Sequence, residues 1–403
     1  MRSQTASVWF VLVTLGLDAL GIGIVIPIVP ELVRTLSHLD AGSAAQWVGA
    51  LVATFAAAQF VAAPILGGLS DRYGRRPVII ISLFGVALNY ALLAYAPSLA
   101  WLFLGRFCAG ATSANAAAAN AYIADVTPPA QRATRFGLVG ATFGAGFVFG
   151  PALGGLLGSI DLRLPFLVAA GLALCNAAYG AFLLPESLAP ENRRRFSWRR
   201  ANPIGSLRTL AADRPLAWMA GAWCCMWFGV GALQSTFVLS SAMRFGWGPQ
   251  ANGLALAGVG VTQALVMGLL VRPVIRRLGE RRAAFAGFVI SLVAYLALGF
   301  AQSPWLIYVG VVLQGAGAIA IPALRGLMSA RASAARQGEL QGGLGSVEGL
   351  TAIGGPMLAA TVFTYATLAG GVAWAGASFV LAAAVFGLAI LLLRRAQTDL
   401  APG

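Results

Sequence analysis

The chain contains no lysine: all 27 of its basic residues are arginine. No G-x-x-x-x-G-K phosphate loop exists, so ATP drive within this chain is excluded. Histidine is reduced to His38, which excludes a His-rich metal set and a Ser–His constellation, and with them most routes to an enzyme. Four cysteines, Cys108, Cys175, Cys224 and Cys225, each fall inside an apolar segment without metal-site spacing or a secreted disulfide framework. They are expected as packing residues, and no metal or other cofactor is expected. Charge is the scarcest property: 10% of 403 residues, against 59% hydrophobic. A soluble surface needs far more charge, so the solvent of this chain is lipid.

What is present fits that solvent. Apolar runs recur at about 20 residues, the length a helix needs to cross a hydrocarbon core about 30 Å thick. Runs such as Val372–Leu393 are too long and too uniformly apolar for barrel strands, and backbone groups in lipid must be satisfied internally, so the spans are helices. Twelve are expected: 8–30, 47–69, 78–96, 99–123, 136–158, 165–184, 216–240, 251–271, 283–301, 305–329, 341–366 and 372–393. The first run continues to Pro30 with no small-residue cleavage site and is expected to remain as a span.

The net charge of +14 suggests nucleic acid only in a soluble protein; here the arginines sit in short connections. Even-numbered connections hold Arg72, Arg75, Arg76, Arg132, Arg135, the basic residues between Arg193 and Arg200, Arg276, Arg277, Arg281, Arg282, Arg331 and Arg336. The other side holds Arg34, Arg163 and Arg244. By the positive-inside rule both termini are expected in the cytoplasm. The one long polar connection, 185–215, contains ENRRRFSWRR and divides the chain into 1–184 and 216–403. A shift of 205 positions lays Gly74 on Gly279, Tyr90 on Tyr295, Gly105 on Gly310, Gly110 on Gly315 and Gly150-Pro151 on Gly355-Pro356. The two parts are expected to be pseudo-symmetric six-helix bundles.

Charges inside spans carry most of the functional information, because each costs roughly 2.5–3.5 kcal/mol at a helix centre. Asp18 lies near the middle of the first span. Arg106 lies in the fourth, with Ser113 and Asn120 following on its face. Arg325 and Glu348 lie in the tenth and eleventh spans, roughly 9–14 Å inside their shared connection at about 1.5 Å per residue, within reach of each other. That pair is either a static bridge or a switch that opens on protonation of Glu348. Trp223, Trp227 and Gln234 share a face of the seventh span, and Gln314 lies on the face of Arg325; aromatics with a few polar groups suit amphipathic ligands, while helix packing is the ordinary use of such rings.

Two strings then carry a resemblance. GGLSDRYGRRP, from Gly67 to Pro77, joins two spans by a tight polar turn and resembles the signature loop of the major facilitator superfamily. The resemblance implies a conformational lock of Gly67, Asp71, Arg72, Gly74, Arg75 and Arg76; a topology signal alone is the other use of such charges. The equivalent stretch of the second half, VIRRLGERR, puts Arg276 where the first half has Asp71. GATFGAGFVFGPALGG, from Gly140, resembles the superfamily's drug–proton antiporter motif and contributes Gly144, Gly150, Pro151, Gly154 and Gly155, which close helix packing alone also explains. Arg106 matches the fourth-span arginine that the family associates with proton coupling.

The segments LDALGIGIVIPIVPEL, AAQFVAAPILGGLSDRYGRRPV, AYIADVTPPAQR and PALRGLMSARASAARQGELQGGLGS are similar to the tetracycline–proton antiporters. On that resemblance Asp18 and Gln59 occupy the family's first-span Asp and second-span Gln. Its third-span and ninth-span acids fall on Asn89 and Ser291, while Glu348 and Arg325 stand where its pattern is uncharged. The expectation is a proton-driven exporter of small amphipathic molecules in a bacterial inner membrane, functional as a monomer, with the proton gradient as its energy source. Proton coupling falls to Asp18, Arg106 and Glu348, and substrate binding to Asp18, Gln59, Asn89, Asn120, Trp223, Trp227, Gln234, Gln314 and Arg325. A metabolite or siderophore transporter of the same fold, exporting, importing or facilitating, is the alternative.

Overall fold

A computed structural model describes residues 2–113, 115–127, 129–193, 196, 207, 210–331 and 337–398. Arg194, Arg195, Arg199, Arg200 and Arg336, with much of the 185–215 connection, lie outside the described residues, as do the side chains of Asn120 and Arg132. Every long element is a helix: α1 Arg2–Val25, α2 Val29–Ser37, α3 Ala41–Tyr73, α4 Arg75–Ala94, α5 Leu99–Thr112, α6 Asn115–Val126, α7 Pro129–Ile160 and α8 Leu164–Leu183. After the connection follow α9 Arg214–Phe245, α10 Pro249–Leu265, α11 Val271–Gly299, α12 Pro304–Gly317, α13 Ala320–Arg331, α14 Gln337–Gly370 and α15 Ala377–Thr398.

Among the described residues nine helices are long and apolar enough to cross a membrane, ten when α1 and α2, bent by 42° at their break, count as one span. The difference from twelve has a physical source at each place. The expected eighth and ninth spans run together as one helical stretch of 51 residues, joined by a π turn at Val266–Leu270 and broken in dihedral angle only at Gly279, φ +76°. The expected fourth span is divided at Ser113 into α5 and α6, each too short to count as a span; the tenth is likewise divided into α12 and α13 but still counts as one span, Pro304–Arg331. These last two breaks share one register, since Thr112 and Gly317, the final residues of α5 and α12, are separated by the repeat offset of 205.

Helix ends are closed locally. Asp40 accepts the Ser43 backbone N–H at 2.8 Å and caps α3; Asp213 does the same for α9 through Leu216 at 3.2 Å. Gly74 ends α3 and starts α4 at φ +113°, a conformation that L side chains rarely adopt. The arginines that break the charge asymmetry are consumed structurally. Arg163 donates to the carbonyls of Ala94 and Ala96 at the end of α4, at 3.2 Å each; Arg244 donates to Leu298 at 2.7 Å, Gly299 at 3.0 Å and Ala301, the corresponding end of α11. Both cations meet helix C-termini, where orphan carbonyls favour them. Arg34 pairs with Glu31 at 3.3 Å.

Side chains from 210 to 396 form one buried core around Trp223, Phe288 and Tyr295, and two further cores draw mainly on residues before 184. Within the first half α1 and α7 meet backbone to backbone, a Cβ on Gly150 falling 2.6 Å from the Gly23 Cα. Small residues permit that approach in lipid, where van der Waals contact replaces hydrophobic drive. The cysteines depart from expectation: Cys225 is buried, but Cys175 and Cys224 are exposed, and all four are free thiols. A sulfur on a lipid- or cavity-facing surface costs little, so apolar surroundings in sequence do not bury it.

Candidate functional site

The first and second halves meet along two seams, α3 against α14 and α7 against α10. Each is tight at one end. A Cβ on Gly49 lies 2.8 Å from Ala360 Cβ and 2.9 Å from the Pro356 carbonyl; one on Gly155 lies 2.6 Å from the Pro249 carbonyl and 3.0 Å from Gly253 Cα. Thr364 Oγ1 also donates to the Gly42 carbonyl at 2.6 Å across the first seam. The same faces are open at the other end. Gly67, five turns from Gly49, and Gly144, three turns from Gly155, have nothing within 4 Å, and neither has Gly345 of α14. Phe60 against Gly349, at 2.6 Å, is the last glycine contact before α3 and α14 part. The halves therefore splay toward the end that carries Gly74 and are closed at the end that carries Gly155. The paired breaks of α5–α6 and α12–α13 lie between these seams, and interrupted helices in corresponding positions mark the binding region of such repeats.

Three elements build the charged group of the first half. Asp18 of α1 and Arg106 of α5 are both near enough to Tyr90 of α4 to act electrostatically on its buried hydroxyl. A Cβ on Gly21, one turn beyond Asp18, would meet the Tyr90 ring at 3.3 Å, so glycine admits the tyrosine. Arg106 lies 4.6 Å over the Phe55 ring, a cation–π contact that offsets part of its desolvation. Gln59 Nε2 donates to Ser113 Oγ at 2.8 Å and ties α3 to the break after α5. Asn89 does not join this group at the surface: it is 2% exposed, packed toward Gly105, and its Oδ1 is buried without a donor.

The second half holds a different arrangement. Arg325 of α13 and Glu348 of α14 pair at 3.3 Å, with 46% and 27% of their side chains exposed, so a wet space reaches them. The guanidinium lies 5.1 Å over the ring of Trp223, whose Nε1 is buried without an acceptor. Trp227 meets Trp223 edge to face at 6.3 Å, and its Nε1 is buried without an acceptor. Cys224 Sγ and Thr351 Oγ1, 3.1 Å apart, join α9 to α14 beside the pair. Gln234 is exposed three turns further along α9, and Gln314 lies near Tyr295. Ser291 is 4% exposed and packs against Gly317.

The loop at Gly74 is a network within the first half. Arg75 binds Asp71 at 2.6 Å and Asp125 of α6 at 3.3 Å, and donates to Ser70. Glu186, just beyond α8, accepts the backbone N–H groups of Arg75 at 2.8 Å and Arg76 at 3.3 Å, a carboxylate at the N-terminus of α4. Arg76 donates to the Ala181 carbonyl at 2.7 Å, Ser187 bonds Asp125 at 3.2 Å, and Arg72 lies over Tyr73. Asp125 and Glu186 were not singled out from sequence. Both sit in short polar patches at the ends of spans, the one signal that marks them. Tyr90 stood out only as a repeat partner of Tyr295, and Phe55 not at all.

Among the described residues no group of three or more His, Cys, Asp or Glu is placed to hold a metal ion. Two bundles with repeated topology, seams closed at one end, broken helices between them and charges midway along the spans define a transporter of small molecules across a membrane. The family model of the Major Facilitator Superfamily matches residues 11–275 and 236–402. The chain is 38% identical over 395 residues to the tetracycline resistance protein, class C, of Escherichia coli, covering 98% of both. It is 38% identical to the class D protein of Salmonella ordonez, covering 96% of both. The crystal structure of the human organic anion transporter MFSD10 (TETRAN) superposes with a TM-score of 0.72 at 25% identity, covering 97% of this chain and 99% of that one. The chain belongs to the major facilitator superfamily, a family of transporters and not of enzymes, and has bacterial homologues among the tetracycline resistance proteins.

Proposed function

We propose that this protein is a proton-driven exporter of small amphipathic, drug-like molecules from a bacterial cytoplasm. It works as a monomer in the inner membrane by alternating access between two halves, 1–184 and 216–403, joined by the 185–215 connection. The single observation that carries the proposal is the splay of both seams toward the Gly74 end around mid-span charges. The arginine asymmetry supports a cytoplasmic position for that end and for both termini, and on that reading the state described is open inward. Asp18 is the primary proton carrier, its protonation exclusive with substrate binding; Arg106 tunes it through the shared Tyr90, and Glu348 is the second protonatable group. Gln59, Asn120, Trp223, Trp227, Gln234, Gln314 and Arg325 are the substrate contacts, and Asn89 supports them from behind. Gly67 to Arg76 lock the state closed to the cytoplasm, and Gly144 to Gly155 form the antiporter seam.

A metabolite or siderophore transporter of the same fold, exporting, importing or facilitating, is the second reading. It is favoured by the neutral, buried Asn89 and Ser291, which offer no carboxylate to a metal–tetracycline cation. Efflux of ethidium from cells that lack their own drug exporters distinguishes the two. The proposal requires faster loss of dye from cells expressing this chain, abolished by a protonophore. Equal rates with and without the chain refute it.

A further inference from the structure

The hairpin of the second half that corresponds to the Gly74 loop carries the opposite charge order. Where the first half places Asp71 and Arg75, the second places Arg276 and Glu280. Asp71 and Arg75 pair at 2.6 Å, and Asp125 and Glu186 neutralise what remains. The second hairpin has no such complement. The Glu280 carboxylate turns to Gly326 of α13, and Arg272, Arg276 and Arg277 are exposed, with no acid within 4 Å among the described residues.

The arginines also continue an apolar surface. Val261, Leu265 and Leu269 are 43%, 53% and 66% exposed and lead at helical spacing into Arg272 and Arg276. On the same helix Thr262 and Gln263 pack toward Gly315 of α12 and Asn252 bonds Ser241 of α9, away from the stripe, while Gln250 shares its face only in the first turn at the far end, so the stripe from Val261 onward looks into lipid. Three unpartnered guanidinium groups at the end of a lipid-facing leucine stripe match the shape of one molecule: acyl chains along the stripe and an anionic headgroup at the cations.

We propose that the surface from Val261 to Arg277 is a binding site for an anionic glycerophospholipid, held by Arg272, Arg276 and Arg277. The site lies beside the open end of the α7–α10 seam, where Gly144 and Gly268 have nothing within 4 Å. Its occupant therefore touches the element that moves when that seam closes. This assignment is independent of the transported substrate and of the coupling ion.

The test is native mass spectrometry of the full chain in detergent, titrated with phosphatidylglycerol or with phosphatidylcholine of the same acyl composition. Phosphatidylglycerol should be retained at least tenfold more tightly. The combined variant Arg272→Gln, Arg276→Gln, Arg277→Gln should lose about a hundredfold of that affinity, the fold-change that roughly 1 kcal/mol per arginine converts to. The single variant Arg276→Gln should lose about fivefold and keeps the test valid if the triple variant fails to reach the membrane. Equal retention of the two lipids, unchanged binding by both variants, or displacement of phosphatidylglycerol by millimolar inorganic phosphate would overturn the assignment.

Discussion

Replacing Gly155 by alanine tests the seam geometry directly. The added Cβ would stand 2.6 Å from the Pro249 carbonyl, 3.0 Å from Gly253 Cα and 3.2 Å from Gln250 Cα, all backbone of α10. No flexible side chain can give way, so α7 and α10 must separate. Overpacking of this kind costs about 1–3 kcal/mol, and the cost falls only on the state in which this end is closed. At about 1.4 kcal/mol per factor of ten, the population should move roughly 5- to 150-fold toward the state with the opposite opening. Gly144→Ala is the matched control, since the same face three turns away has nothing within 4 Å. Spin-label distances read both ends in a variant without native cysteines: one pair at Ile160→Cys and Leu254→Cys, a second at Tyr73→Cys and Leu278→Cys, all exposed positions. With Gly155→Ala the first distance should lengthen and the second shorten, while Gly144→Ala leaves the described state in place. Unchanged distances with Gly155→Ala, or a larger effect from Gly144→Ala, would refute the assignment of closed and open ends.

Gly74→Ala forces alanine to φ +113° and puts its Cβ where the Glu186 carboxylate lies, so it should cost about 1–3 kcal/mol in thermal unfolding and release the N-terminus of α4. Arg244→Gln removes donors from three carbonyls at the end of α11 and should lower stability by about 2–3 kcal/mol, measured in the same assay. Asn89→Asp places a carboxyl at a site 2% exposed whose acceptor already lacks a donor, so it should lower Tm and fail to add tetracycline resistance in a susceptible host. The Ser43 backbone N–H holds the Asp40 carboxyl below its ordinary range, so the cap of α3 contributes fully above that range and is lost as pH falls through the depressed value. Asp40→Ala should accordingly cost about 1 kcal/mol at pH 7, with the difference from the native chain vanishing in strong acid.

The transmembrane architecture was legible because lipid imposes a coarse rule, about 20 uncharged residues per crossing, that composition reveals without side-chain detail. The same rule hides where a span is interrupted. Nothing in LFLGRFCAGATSANAAAAN announces the break at Ser113, and the polar VIRRLGERR reads as a loop although helix continues through it up to Gly279 and resumes there. Intramembrane charges were legible by their cost, and the pairing of Arg325 with Glu348 followed from their depth. Their aromatic partners were less so: Trp223 stood out as a candidate contact but not as the partner of Arg325, and Phe55 not at all, because a ring in an apolar run is ordinary until a neighbouring helix brings a guanidinium over it. Asp125 and Glu186 act on Arg75 and Arg76 from 50 and 111 positions away, distances that no local pattern encodes.

The central claim is exchange of substrate for protons through Asp18. The direct measurement uses the purified chain in liposomes with a pH-sensitive dye inside and ethidium outside, under an imposed pH gradient, acid inside. The native chain should accumulate ethidium while the lumen alkalinises, and Asp18→Asn, present in the membrane in equal amount, should do neither. Ethidium movement that ignores the gradient, or persists unchanged in Asp18→Asn, would contradict the account.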